Sequence, residues 1–311
     1  MPRPKPVLLD ETATGVFTIA ATPFLPDGTL DLDSLDSMVA FYEEKGATGL
    51  TILGMMGEAG KLSDKESSIV IDRVIARATV PVVVGVSAPG LAAIKAMANA
   101  AMDRGAAGVM VAPPATLRTD DQIIGYFQMV ADVLGDVPWV LQDFPLVTGV
   151  QISARVCREI FDSCPTCVML KHEDWPGLEK ITALRAMEAA GARRLSILCG
   201  NGGMFLLEEM IRGADGAMTG FAYPEMMAGV VRLMRAGDEA RARDLFDAYL
   251  PLMRYESQPN LGLAIRKHIL ARRGAIAHPT VRRPGTVLGP GATAEIETLI
   301  ARQEARLAQL S

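Results

Sequence analysis

Lys171 is the residue of this 311-residue sequence that most invites chemistry. It closes an apolar run, Cys167-Val168-Met169-Leu170-Lys171, of the kind that forms a buried strand. Desolvation disfavours an ammonium, so a lysine held there offers its neutral amine. Such an amine condenses with a ketone to a Schiff base, whose cation withdraws electrons from the neighbouring carbon. On the residues alone, a strand-end lysine whose head reaches solvent is the alternative. Glu173 stands two residues on and shares a strand face with Lys171, which suits a proton shuttle; a solvated carboxylate is its alternative. His172 points the other way, toward a supporting or packing role.

Other strand ends supply polar and small groups. Gly54-Met55-Met56-Gly57-Glu58 reads as a turn whose backbone N–H groups converge on an anion such as a substrate carboxylate. Gly200-Asn201-Gly202-Gly203 reads as a phosphate loop or simply a flexible one, and Gln142-Asp143-Phe144-Pro145 and Thr219-Gly220 close two further strands. A metal hydrolase needs His and carboxylate ligands at several strand ends. Only His172, His268 and His278 exist, two of them near the end of the chain, so no metal is expected. Cys164-Pro165-Thr166-Cys167 spells C-x-x-C without the second ligand pair or redox context such a motif needs, and reads as buried thiols.

These groups need a frame. Eight β-branched, apolar runs recur: Gly15–Thr22, Gly49–Gly54, Pro81–Val86, Gly108–Pro113, Trp139–Asp143, Cys167–Lys171, Ser196–Cys199 and Gly216–Gly220. Continuous apolar runs suit parallel strands buried on both faces. Helical patterns fill most gaps. Ser63 with Glu66, and Thr119 with Gln122, spell capping boxes. Gly46, Gly105, Gly191 and Gly213 stand where helices end before the next strand. The fold predicted is an α/β TIM (β/α)8 barrel over residues 1–221, with a C-terminal helical region over 222–311. In that region Met226–Arg235, Asp238–Met253, Leu261–Arg273 and Thr293–Leu310 read as helices, and Pro279–Gly291 as a surface connection. In such barrels active sites gather at the C-terminal strand ends, where the groups above stand. No G-x-G-x-x-G follows the first strand, which argues against a dinucleotide-binding fold.

Composition excludes several classes. A net charge of −5 without Lys/Arg-rich runs argues against nucleic acid as a partner. No apolar stretch approaches the roughly 20 residues of a membrane span, and Met1–Asp10 carry no secretory apolar region. The expectation is a cytoplasmic protein acting on a small molecule.

The motifs together resemble the dihydrodipicolinate synthase/N-acetylneuraminate lyase family of class I, Schiff-base aldolases. Gly54–Glu58 is similar to its G-x-x-G-E carboxylate loop, and Gln142-Asp143-Phe144-Pro145 with Gly149 to its Y-N-x-P-x-x-x-G segment. Leu170-Lys171 is similar to its Schiff-base strand, and Gly216–Gly220 to its eighth strand. The resemblance runs from about Gly15 to about Arg283. It implies Lys171, Glu173 and Gln142 as the catalytic set, and Gly54, Met55, Met56, Gly57, Glu58, Asp143, Gly200, Asn201 and Thr219 around a 2-oxo acid. It also implies no cofactor and a homotetramer or homodimer.

The departures are specific. The family's catalytic tyrosine falls on Gln142, its loop hydroxyls on Met55 and Met56, its carboxylate-gripping arginine on Val147 and its interface tyrosine near Ala115. Val140–Pro145, Lys171–Gly177 and Leu250-Pro251-Leu252-Met253 with Glu256 resemble one branch, the 2-keto-3-deoxy-L-arabonate dehydratases. That branch implies dehydration of a 2-keto-3-deoxy sugar acid. A pyruvate-dependent aldolase or synthase is the closer rival, and a barrel that binds a 2-oxo acid without turnover the more distant one. Met55, Met56, Phe144 and Trp175 add the expectation of an apolar pocket.

Overall fold

A computed structural model describes residues 7–175 and 177–310. Eight parallel strands close into a barrel in chain order: β1 (Gly15–Ile19), β2 (Gly49–Ile52), β3 (Val82–Gly85), β4 (Gly108–Val111), β5 (Trp139–Asp143), β6 (Cys167–His172), β7 (Ser196–Cys199) and β8 (Gly216–Ala217). All eight predicted runs hold strands. Several are shorter than read, because the sequence marks apolar character and not the ladder. Leu53 turns to φ 55° and ends β2 before Gly54. Beyond Ala217 only single bonds continue, from Met218 N–H to Cys199 O and from Ile19 N–H to Thr219 O. Gly216 is where β8 comes closest to β1: a Cβ there would sit 1.9 Å from the Gly15 carbonyl oxygen, so only glycine fits. β6 runs one residue longer than read and includes His172.

Helices α1 (Leu32–Glu44), α2 (Asp64–Arg77), α3 (Leu91–Asp103) and α4 (Asp120–Leu134) follow the first four strands. The one-turn α5 (Pro145–Thr148) precedes α6 (Ala154–Ser163), and α7 (Leu178–Ala189) and α8 (Leu206–Ile211) follow β6 and β7. Both predicted capping boxes form, at Ser63/Glu66 and Thr119/Gln122. The glycines at 46, 105, 191 and 213 all take positive φ just past a helix end.

The last four helices are α9 (Pro224–Arg235), α10 (Glu239–Glu256), α11 (Gly262–Arg272) and α12 (Pro290–Leu307). α9 packs on β1 and β8 and so stands as the ring helix of β8, while α10 lies across α9, α11 and α12. No described helix is long and apolar enough to cross a membrane.

Two apolar clusters hold the barrel. One fills its interior with Phe17, Ile19, Val83, Met110, Val140, Met169, Leu198 and Met218. The other, larger one lies between the strands and the helices. Side chains alternate across each strand, so register decides which groups look into the barrel mouth. Gln142 pairs with Lys171 and Asp143 with His172 across β5 and β6. Lys171 pairs with Leu198 and His172 with Cys199 across β6 and β7. Leu198 belongs to the interior cluster and Cys199 to the outer one, which puts Lys171 inside and His172 outside.

Candidate active site

The C-terminal ends of β5 and β6 bring three predicted residues together. Lys171 Nζ lies 2.9 Å from Glu173 Oε2. The Gln142 side-chain amide donates to the same oxygen at 2.7 Å. All three residues are buried. One carboxylate oxygen therefore joins an amine to a fixed amide donor. The arrangement puts a proton acceptor beside the amine, and the amide holds that acceptor in one rotamer.

Glu173 is fixed by its backbone as well. Its N–H donates to Asp143 O at 2.9 Å, and Asn201 Nδ2 donates to its carbonyl at 2.9 Å. Asn201 itself sits at φ 50°, in the turn after β7. In that turn Gly202 N–H donates to Thr219 Oγ1 at 2.9 Å. Asn201 and Thr219, expected around the substrate, thus brace the frame that carries Glu173.

Gly200 has a role that sequence reasoning missed. A Cβ at this position would stand 2.1 Å from Glu173 Cγ. The glycine leaves the space that Glu173 occupies, and its identity follows from that close approach. The only signal in sequence was a glycine at the end of a strand, which also fits a flexible loop.

In the strand-2 loop two residues, Gly57 and Glu58, are placed differently from the expectation. Gly57 N–H, expected to face a carboxylate, donates to Gly54 O at 3.0 Å inside a tight turn. Met55 and Met56 N–H groups have no hydrogen bond among the described residues. Met56 packs on the interior cluster while Met55 is 47% exposed, so only Met56 lies over the barrel mouth. Glu58, expected at the substrate, is occupied elsewhere. One oxygen meets Lys267 and the other Lys61 at 2.8 Å and the Arg282 N–H at 3.0 Å. Glu58 ties the loop to α11 and to the chain before α12.

Asp143 is the third residue placed differently. It is on the outward face of β5, fully buried, with Oδ2 2.6 Å from Lys180 Nζ. Lys180 also meets Asp174 at 2.8 Å. Burial works against the Lys180 ammonium, yet its two carboxylate partners push it up to about 12. This cluster pins α7 to the barrel and does not face Lys171. His172 is on the same outward side, as its place in the strand required.

The mouth also carries aromatic groups. Trp175 stands edge-on to Phe205 at a centroid distance of 4.8 Å and is 40% exposed. Val147, where the resemblance places an arginine, is 57% exposed on α5. Pro176, part of the motif that contains Lys171 and Glu173, lies outside the described residues. The four cysteines, Cys164 and Cys167 included, are buried free thiols.

Comparison with known proteins bears on the family and the fold. The model of the "Dihydrodipicolinate synthetase family" matches residues 12–303. The chain belongs to the dihydrodipicolinate synthetase family. It is 30% identical to the L-2-keto-3-deoxyarabonate dehydratase of Azospirillum brasilense, over 93% of this chain and 94% of that protein. It is 31% identical to the 4-hydroxy-tetrahydrodipicolinate synthase of Sorangium cellulosum, over 94% and 97% of the two chains. A solved structure described as dihydrodipicolinate synthase from Rhodopseudomonas palustris superposes with a TM-score of 0.94. It shares 52% identity, with 95% of this chain and 99% of that one covered. The dehydratase and the Sorangium cellulosum synthase stand at 30% and 31% identity, so membership establishes a lyase of this family and leaves its substrate to the site.

Proposed function

We propose that the protein is a Schiff-base-forming lyase of a 2-oxo acid, and specifically a dehydratase of a 2-keto-3-deoxy sugar acid. The supporting observation is the Glu173 carboxylate oxygen shared between Lys171 and Gln142. In this reading the Lys171 amine adds to the C2 ketone and water leaves, giving an iminium. Glu173 takes a C3 proton, and the electron pair moves to the imine nitrogen as an enamine. The enamine then expels the C4 hydroxyl, which leaves as water with the proton that Glu173 returns. Hydrolysis of the conjugated imine frees the product and Lys171. Glu173 does the work that a tyrosine does elsewhere, because an amide at position 142 orients a base but relays no proton. The free Met55 and Met56 N–H groups are the donors for the C1 carboxylate.

Borohydride reduction in the presence of pyruvate or a 2-keto-3-deoxy acid tests the imine. Mass spectrometry should find the reduced adduct on Lys171; its absence there ends the Schiff-base reading. Assaying water loss from a sugar-acid panel against aldehyde-dependent consumption of pyruvate separates the dehydratase from an aldolase. The apolar groups at the mouth, Met56 and the Trp175–Phe205 pair, favour that second reading with an apolar aldehyde partner. A homodimer or homotetramer is proposed from the resemblance, and analytical ultracentrifugation decides it.

A further inference from the structure

His172 and Cys199 are register partners on β6 and β7, and both face outward from the barrel. Glu209 of α8 reaches the same point. Among the described residues, His172, Cys199 and Glu209 offer donor atoms that all lie within 4.8 Å of one another, and all three are buried. His172 Nδ1 stands 3.5 Å from Glu209 Oε1. That is too long for a good hydrogen bond. Two ligands bound at about 2.0–2.1 Å to a tetrahedral zinc ion stand about 3.3 Å apart, close to this spacing. Among the described residues, neither ring nitrogen of His172 has a hydrogen-bond partner, nor has Glu209 Oε2. The backbone of Gly177 lies against the Cε1–Nε2 edge of the ring, where a Cβ would sit 2.3–2.4 Å away, so Nδ1 is the nitrogen turned to the cluster.

From this geometry we infer that His172 Nδ1, Cys199 Sγ and Glu209 form a site for a borderline-soft divalent cation of the zinc class, behind the wall that carries Lys171. The charges balance: thiolate and carboxylate neutralise the dication, and the imidazole binds as the neutral ring. Ligation releases the thiol proton to solvent. The donors draw together by about 1 Å to reach zinc distances. The set takes one ligand from each of β6, β7 and α8, so a bound ion fastens that helix to the two strands. It supplies no step of the reaction. Two of its ligands face away from the barrel mouth and the third comes from a helix, so no pattern of strand-end histidines marks it.

The test uses the full-length protein, stripped with chelator, incubated with zinc or cobalt(II) and desalted. Elemental analysis should find about one zinc per chain. Cobalt, with water as its fourth ligand, should give tetrahedral d–d bands and a sulfur-to-cobalt charge-transfer band. Cys199→Ser should abolish the charge-transfer band, and Glu209→Gln should weaken metal retention at least about tenfold. Wild-type protein that retains no zinc, or cobalt without the charge-transfer band, overturns the site. So does a band that persists in folded Cys199→Ser. Should that variant not fold, the wild-type stoichiometry and cobalt spectrum still decide.

Discussion

Gln142 and Glu173 are joined by a hydrogen bond of 2.7 Å across β5 and the end of β6, and the oxygen that accepts it is the one 2.9 Å from Lys171. In the proposed mechanism the pair separates two roles that a single tyrosine would combine: Gln142 orients and Glu173 moves the proton. Glu173→Gln should therefore lower turnover about 10²–10⁴-fold, the usual range for loss of a general base, while the borohydride adduct on Lys171 still forms. Gln142→Met removes only the orienting donor and should cost about tenfold in kcat. Steady-state kinetics beside adduct mass spectrometry checks both. Near-normal turnover in Glu173→Gln would remove Glu173 from the mechanism.

Gly200→Ala tests the space beneath Glu173. The added Cβ would meet Glu173 Cγ at 2.1 Å, and the carboxylate must shift. A misplacement of about 1 Å costs about 10²-fold in rate, while overpacking costs about 1–3 kcal/mol in stability. The variant should fold, form the Lys171 adduct and turn over poorly. Full activity would show that Glu173 works from another rotamer.

How much of this site could be read in sequence follows from its physics. The barrel was legible because buried parallel strands are written as continuous apolar runs. Lys171 and Glu173 were legible because a two-residue spacing fixes a common strand face. Asp143 was not: alternation puts it opposite Gln142, but its partner Lys180 is on α7, 37 residues away. Glu58 fails for the same reason, since Lys267 is 209 residues distant. A motif places a residue at a strand end. Only the tertiary partner says whether its charge faces substrate or a neighbouring helix.

Asp143 therefore carries a prediction about stability, not binding. It is fully buried against Lys180, whose side chain is 7% exposed. Removing one member of a buried ion pair strands the other and costs about 3–5 kcal/mol. Asp143→Ala should lower the denaturant midpoint accordingly and leave KM for the 2-oxo acid unchanged in the folded fraction. Asp143→Leu combined with Lys180→Met should recover much of the loss. A large rise in KM with unaltered stability would return Asp143 to the substrate.

Glu66 carries a pH-dependent contribution that ties α2 to the chain before α12. Its carboxylate takes hydrogen bonds from Arg282 and from the Ser63 N–H, and these hold its pKa at about 2, below the ordinary 4.5. The sign follows from linkage: a depressed carboxyl pKa stabilises the fold above the unfolded value, and that stability is lost as pH falls toward the folded one. The side chain is 27% exposed, and solvent screening limits a pair of this kind to about 1 kcal/mol or less. Glu66→Gln keeps a capping acceptor for Ser63 but has no charge for Arg282. The Tm gap between wild type and this variant should be constant near neutral pH, shrink from about pH 4.5 downward and close near pH 2. Thermal scans in a pH series measure it, and a gap that stays constant down to about pH 2.5 would show that the Arg282 pair contributes nothing through charge.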